Sequence, residues 1–277
     1  MKPLALETAD GVSVHPLALV HPQASLGEGV EVGPFCQVGP GVSIGPRTRL
    51  VSHVSLSGTT TIGADCTLYP FASIGHPPQD SKHGGGMVSV MVGDRNTFRE
   101  SVTVHPGSDA GRRDTVIGDD NLFMVGSHVA HECRVGSNVV LTNQVALGGA
   151  VEVGDNAVLG GLSAVVQFTR IGEGAFVGGK TLVTRDVIPF GYALGNPAVL
   201  MGLNTVGLKR RGVSRDGVRS LRAAFSALYA PEGTFAERVD EVALEYADDP
   251  RVVAIVEFIR AKGRKELCRP GTKIART

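Results

Sequence analysis

Val14, Val20, Leu26, Val32, Val38, Ile44, Leu50, Leu56, Ile62, Leu68 and Ile74 stand six residues apart without one failure. Val92, Phe98 and Val104 keep that phase. The beat then resumes one residue late at Ile117, Phe123, Val129, Val135, Leu141, Leu147, Val153, Leu159, Val165, Ile171, Val177 and Val183, making 26 positions. An amphipathic helix repeats every 3.6 residues and a strand every 2, so a strict six requires a short strand and a turn, repeated. Hexads of this kind are the signature of a parallel β-helix, in which each coil is stable only through its neighbours. With three hexads to a triangular coil, the chain predicts between about eight and nine coils.

Composition agrees with a thin, repetitive core. There are 37 glycines, aromatics make up 5 %, and Trp is absent. Glycine follows the beat residue in fourteen hexads, among them Gly27, Gly33, Gly39, Gly63, Gly136, Gly154 and Gly172, which suggests corners where the backbone turns tightly. Cys36, Cys66 and Cys133 sit four residues after the beat, in a slot otherwise held by small residues. With Cys268 they show neither CxxC pairing nor metal-ligand spacing, so they read as reduced packing residues.

Lys+Arg and Asp+Glu each number 27, so nothing global favours nucleic acid or an acidic membrane. No apolar run reaches the ~18–20 residues of a membrane span, and Met1 to Asp10 lacks the order of a signal peptide. A cytoplasmic address without stable membrane insertion is the expectation.

The beat breaks twice, near 76–89 and 105–114, in stretches rich in Pro, Gly and charge that read as loops extruded from the prism. After Gly195-Asn196-Pro197 it ends. Ser214 caps a predicted helix to about Tyr229, Thr234 opens a second and Asp249-Pro250 a third, while the basic tail from Lys262 to Thr277 reads as frayed. Two domains are expected: a β-helix over 11–195 and a helical domain over 196–277.

Histidine is the first candidate for proton transfer near neutral pH. In Ser127-His128-Val129-Ala130-His131-Glu132, Val129 is the inward beat residue, so His128 faces outward and His131 falls toward the next corner. From spacing alone, ordinary surface histidines are the commoner explanation. A metal reading would recruit His105 as a third ligand, as in hexapeptide-repeat carbonic anhydrases, but the spacing argues against it. Lys209-Arg210-Arg211 with Arg215, Arg219 and Arg222 concentrates positive charge; such runs are usually solvated, though Arg forks also bind diphosphates and acidic proteins.

The ordered series Gly-Pro-Phe-Cys (33–36), Phe-Ala-Ser-Ile-Gly (71–75), Pro-Gln-Asp (78–80), Gly-Asp-Arg-Asn (93–96), Arg-Glu-Ser-Val-Thr-Val-His (99–105), Ala-His (130–131), Gln-Phe (167–168) and Gly-Leu-Lys-Arg-Arg-Gly (207–212) resembles the UDP-N-acetylglucosamine 3-O-acyltransferase family of lipid A biosynthesis. The resemblance covers nearly the whole chain. It implies a left-handed β-helix, a homotrimer with sites between neighbouring prisms, no metal or organic cofactor, and transfer of a 3-hydroxyacyl chain from acyl carrier protein to the 3-position of UDP-N-acetylglucosamine.

By the same resemblance His131 matches the general base and Gly149 the glycine whose N–H polarises the thioester carbonyl. His105 and His128 match active-site histidines. Gln79, Asp80, Lys82 and Gln167 match substrate contacts; Asn204, Arg210 and Arg211 match nucleotide and phosphate contacts; Gly179 matches the floor of the acyl groove. The chain departs from the family pattern at Ala150, Val166 and Val206, where other side chains are common, and at Glu132, where Asp is commoner. These departures bear on acceptor recognition, so the 3-amino analogue of the sugar, giving an amide, is the alternative reading. A carbonic anhydrase-like or purely structural trimer is a more distant one.

Overall fold

The computed structural model describes residues 10–271 and the backbone of a two-residue strand, Leu6–Glu7. From Ser13–Val14 to Leu182–Val183 the chain forms 26 short strands, each ending on one of the 26 beat residues. They assemble into three parallel sheets, the faces of a left-handed β-helix. The first face carries Val14, Val32, Leu50 and their successors, the second Val20, Val38 and Leu56, the third Leu26, Ile44 and Ile62. From Val32 to Val183 every beat residue is buried, so each aliphatic side chain is covered by those above and below. Full burial of such a side chain contributes about 1.5–3 kcal/mol. Phe98 and Phe123 extend the same stack with rings parallel at 4.7 Å.

The step between coils is 18 residues from Leu50 to Leu68, 30 from Leu68 to Phe98 and 25 from Phe98 to Phe123. The last surplus is one residue more than a hexad, which accounts for the late restart of the beat. The hand is opposite to that of ordinary parallel crossovers.

The glycine argument needs correcting. Of the fourteen glycines after the beat, only Gly75 has positive φ. The left-handed residue sits two positions later and is usually not glycine: Arg47, Asp65, Asn138, Ala150 and Asn156 all lie near φ +55 to +59. Their strain is offset by N–H bonds to the adjacent coil, such as Arg47 to Glu28 O at 2.8 Å and Asp65 to Pro46 O at 2.9 Å. Glycine after the beat answers a different demand, the close approach of coils. A Cβ on Gly45 would lie 2.6 Å from Gly63 C, and one on Gly118 would lie 2.6 Å from Ser137 Oγ. The four cysteines are free and buried as expected.

Past the last coil, three predicted helices appear with their caps: α2 (Arg215–Leu228) on Ser214, α3 (Phe235–Glu245) on Thr234 with a capping box to Glu237, and α4 (Pro250–Arg260) on Asp249. Sequence reasoning missed a short helix before them, α1 (Thr205–Arg210). It also missed the antiparallel hairpin Gly191–Gly195/Ala198–Leu203, whose turn contains the boundary placed at 195/196. The tail is a further correction. Asp186 N–H donates to Glu266 O at 2.8 Å, Cys268 N–H to Asp186 O at 2.7 Å and Leu200 N–H to Arg269 O at 3.0 Å, so residues 266–269 pair with the prism end. Composition suggested fraying because it does not register backbone pairing; residues 272–277 lie outside the described residues. Among the described residues no helix is long and apolar enough to cross a membrane.

Candidate active site

Both breaks in the beat occur between the second and third faces. The segment between Ile74 and Ser89 and that between Val104 and Asp114 therefore leave the prism along one edge. His83 and the Gly84 and Gly86 N–H groups bind the Asp109 carboxylate at 2.8–3.1 Å, tying one loop to the other. The same edge carries the corners with Glu132, Ala150 and Phe168. Together these features bound a cleft of about 1190 Å³ lined by Gln79, Asp80, Lys82, His131, Ala150 and Gln167, among others.

Within it His131 rests against Gly149. A Cβ on Gly149 would lie 2.5 Å from the ring's Cε1 and 2.6 Å from Nε2, so no other residue fits there without moving the imidazole. The flanking amides are engaged, Gly148 N–H to Val165 O at 2.9 Å and Ala150 N–H to His131 O at 2.8 Å. The Gly149 N–H has no acceptor among the described residues. His131 Nδ1 is buried without a hydrogen bond, and the nearest carboxylate is Glu132 Oε1 at 3.5 Å. Glu132 is itself buried, its N–H anchored on Thr115 Oγ1 at 2.8 Å.

The Asp80 carboxyl is held below its ordinary range by a bond from Ser108, by the Lys82 N–H at 3.0 Å and by nearby His131. Asp80, His131 and Glu132 bring ligand atoms within 4.8 Å of one another, the one grouping among the described residues that could hold a metal. It differs from the set built on His105.

His128 stands on the outer surface of the second face between Thr103 and Ala146, with Nδ1 2.7 Å from Thr103 Oγ1. His105 is buried beside it, edge-on at 5.1 Å, and its Nδ1 accepts the Gln79 N–H at 3.3 Å. Burial, reinforced by the neighbouring histidines, lowers the pKa of His105 to about 4; burial and then His131 lower that of His128. Both shifts favour the neutral ring, and neither histidine is among the residues that line the cleft.

The remaining sequence candidates lie elsewhere on the protomer. Gly179 is exposed on the edge between first and second faces, where a Cβ would meet Gly161 O at 3.2 Å. Asn204 caps α1, accepting the Gly207 N–H at 2.9 Å and donating to Gly174 O at 3.0 Å. Arg210 is exposed, and the Arg211 guanidinium packs against Gly174 and over Phe190. Within one chain these residues do not join His131. In the basic run, Arg219 is paired with Asp216.

Sequence reasoning missed Lys262, Gly263 and Arg264, which line the cleft beside Phe168 and Arg170. Only Gly263, three residues past the end of α4, hints at an ordered turn there.

The family description "Udp N-acetylglucosamine O-acyltransferase; Domain 2" matches residues 186–268. The chain is 52 % identical over 263 residues to the acyl-[acyl-carrier-protein]–UDP-N-acetylglucosamine O-acyltransferase of Caulobacter vibrioides, covering 95 % of this chain and all of that protein. It is 44 % identical to the like-named protein of Thermodesulfovibrio yellowstonii, over 92 % of this chain and 99 % of that one. The solved UDP-N-acetylglucosamine O-acyltransferase of Moraxella catarrhalis superposes with a TM-score of 0.89 at 36 % identity, covering 94 % of this chain and 100 % of that one. With a β-helix of the same build and near-complete coverage at such identity, the chain belongs to the acyl-[acyl-carrier-protein]–UDP-N-acetylglucosamine O-acyltransferase family and is an acyltransferase.

Proposed function

We propose that this chain transfers a 3-hydroxyacyl group from acyl carrier protein to the 3-hydroxyl of UDP-N-acetylglucosamine, the first step of lipid A biosynthesis, with His131 as general base. The observation that carries the reading is the contact between the His131 ring and Gly149, whose N–H is unengaged. A sugar hydroxyl is a poor nucleophile at pH 7, so its proton must leave as it attacks the thioester carbonyl. His131 Nε2 takes that proton. The Glu132 carboxylate near Nδ1 favours the tautomer with its lone pair on Nε2.

The Gly149 N–H stabilises the oxyanion, and collapse expels the carrier's thiolate, which recovers the proton from the imidazolium. The ester C–O bond replaces the C–S bond with no acyl-enzyme. Asp80, Lys82, Gln79 and Gln167 orient the sugar, and His105, with His128 beside it, supports them by holding the Gln79 backbone. Arg210, Arg211 and the α1 end near Asn204 serve the nucleotide of a site completed by a neighbouring copy in a cytoplasmic homotrimer. Gly179 borders the acyl groove, and the pairing of Arg219 with Asp216 leaves Lys209 and Arg215 to meet the acidic carrier.

The test supplies purified protein with 3-hydroxyacyl carrier proteins of several chain lengths and both UDP-sugars, the 3-hydroxy and the 3-amino, in competition. Ester as the main product is expected; amide would move the acceptor assignment to the analogue, a shift that Ala150 in the cleft wall makes specific. His131→Ala should lower kcat by about 10²–10⁴ while UDP-sugar binding persists. Near-normal turnover in that variant would remove His131 from the mechanism.

A further inference from the structure

The segment Lys262-Gly263-Arg264 follows α4 and lines the cleft. Two independent restraints hold it. Gly263 is pressed onto a buried ion pair: a Cβ there would strike the Asp186 carboxylate and lie 2.5 Å from Arg170 Nε. Asp186 is wholly buried, accepts Arg170 N–H at 2.8 Å and Nε–H at 2.7 Å, and pairs through its backbone with Glu266 and Cys268. Arg170 in turn lies 4.1 Å beneath the Phe258 ring of α4. On the cleft side the Arg264 guanidinium stacks 4.6 Å above Phe168, next to Gln167. The strap is therefore positioned by the fold before any ligand arrives.

Charge accounting along the cleft shows what it offers. Arg112 is bound to Glu152 at 3.0 Å and Arg170 to Asp186, while Asp80 and Glu132 lie beside His131. Lys262 and Arg264 have no carboxylate within ion-pair reach among the described residues, although both line the cleft. A guanidinium held over a ring face by its central carbon leaves N–H donors free, and these suit the paired oxygens of a phosphate. Unpaired fixed cations flanking a catalytic groove favour an anion there, at low reorganisation cost.

We propose that the Lys262–Arg264 strap is a phosphate-ester subsite of the transfer groove, supplied by the same protomer as His131. It takes either the diphosphate of the sugar nucleotide or the phosphodiester of the carrier's pantetheine arm. This rests on the acyl-transfer reading for the two substrates, but equilibrium binding tests it without turnover. UDP and 4′-phosphopantetheine would be titrated separately into the full-length protein, its Lys262→Gln/Arg264→Gln variant and its Arg264→Lys variant, with melting midpoints followed in parallel.

The double variant is expected to keep its midpoint and to weaken one of the two ligands about tenfold, with partial recovery in Arg264→Lys, as for loss of a charge-assisted bond. Weakening of UDP assigns the strap to the nucleotide, and weakening of 4′-phosphopantetheine assigns it to the carrier arm. Unchanged affinity for both, or weakening of both with a lowered midpoint, overturns the proposal. An unmodified protein that binds both ligands yet transfers no acyl group would instead sink the functional reading and leave the subsite standing.

Discussion

Two edges of the same prism use polar residues in opposite ways. Between the third and first faces, charges satisfy each other and the backbone. Arg47 grips Asp65 at 2.6–2.7 Å and Arg95 grips Asp120 at 2.8 Å. Asp94, Asp119, Ser137 and Asp155 each accept a backbone N–H from an adjacent coil at 2.8–3.0 Å. Between the second and third faces, His131 Nδ1, the Gly149 N–H and the strap cations are left without such partners. The repeat supplies identical backbone corners on both edges, so the difference lies in what is left unsatisfied. A saturated edge joins coils together; an unsaturated one is free to bind and react.

The most severe way to break the comparison removes the stack that both edges share. Leu141 is buried between Phe123 and Leu159, and Leu141→Asp would place an unpaired charge there. We expect no folded protein, as judged by circular dichroism and soluble yield; a folded, active variant would show that coils tolerate local collapse.

Next in size, Gly149→Ala on the unsaturated edge pushes a methyl into the His131 ring. Turnover should fall by roughly 10²-fold or more with the β-helix intact, since misplacing a reactive group by about 1 Å costs on that order. Unimpaired kcat would mean that the ring moves aside freely.

A smaller effect sharpens the role of the neutral histidines. His105 has its pKa depressed from 6.5 to about 4, so the unfolded chain binds a proton that the folded one refuses. Stability is then fully present above pH 6.5 and declines as pH falls toward 4. The melting midpoint should drop across that window, and His105→Gln should flatten the drop; equal slopes in the two proteins would refute the assignment.

The smallest change belongs to the saturated edge. Asp120→Asn cuts an exposed pair with Arg95, and neither kcat nor the melting midpoint should shift measurably, because such pairs are strongly screened. A clear loss of activity there would mean that this edge also takes part in catalysis.

Sequence alone determined the parts of this molecule governed by local repetition. The hexad beat specified strand positions, inward side chains and coil stacking because a strand of two residues and a turn have few ways to bury one aliphatic side chain every sixth position. The caps at Ser214, Thr234 and Asp249 were readable for a similar reason, since a cap acts within its own first helical turn. His131 was singled out by its place after Val129 and by family resemblance.

Tertiary structure decided what depends on distance across coils. Apart from Gly75, glycine after the beat is required by the atoms of a neighbouring coil and not by its own torsion. The two loops and the His131 corner share an edge only because every insertion leaves between the same two faces. The strap escaped notice because its order comes from Asp186 and Arg170, far away in sequence, while its composition resembles a free tail. Local periodicity encodes the scaffold; whether a donor or a charge on it remains unpaired is settled by neighbours that only the fold brings close.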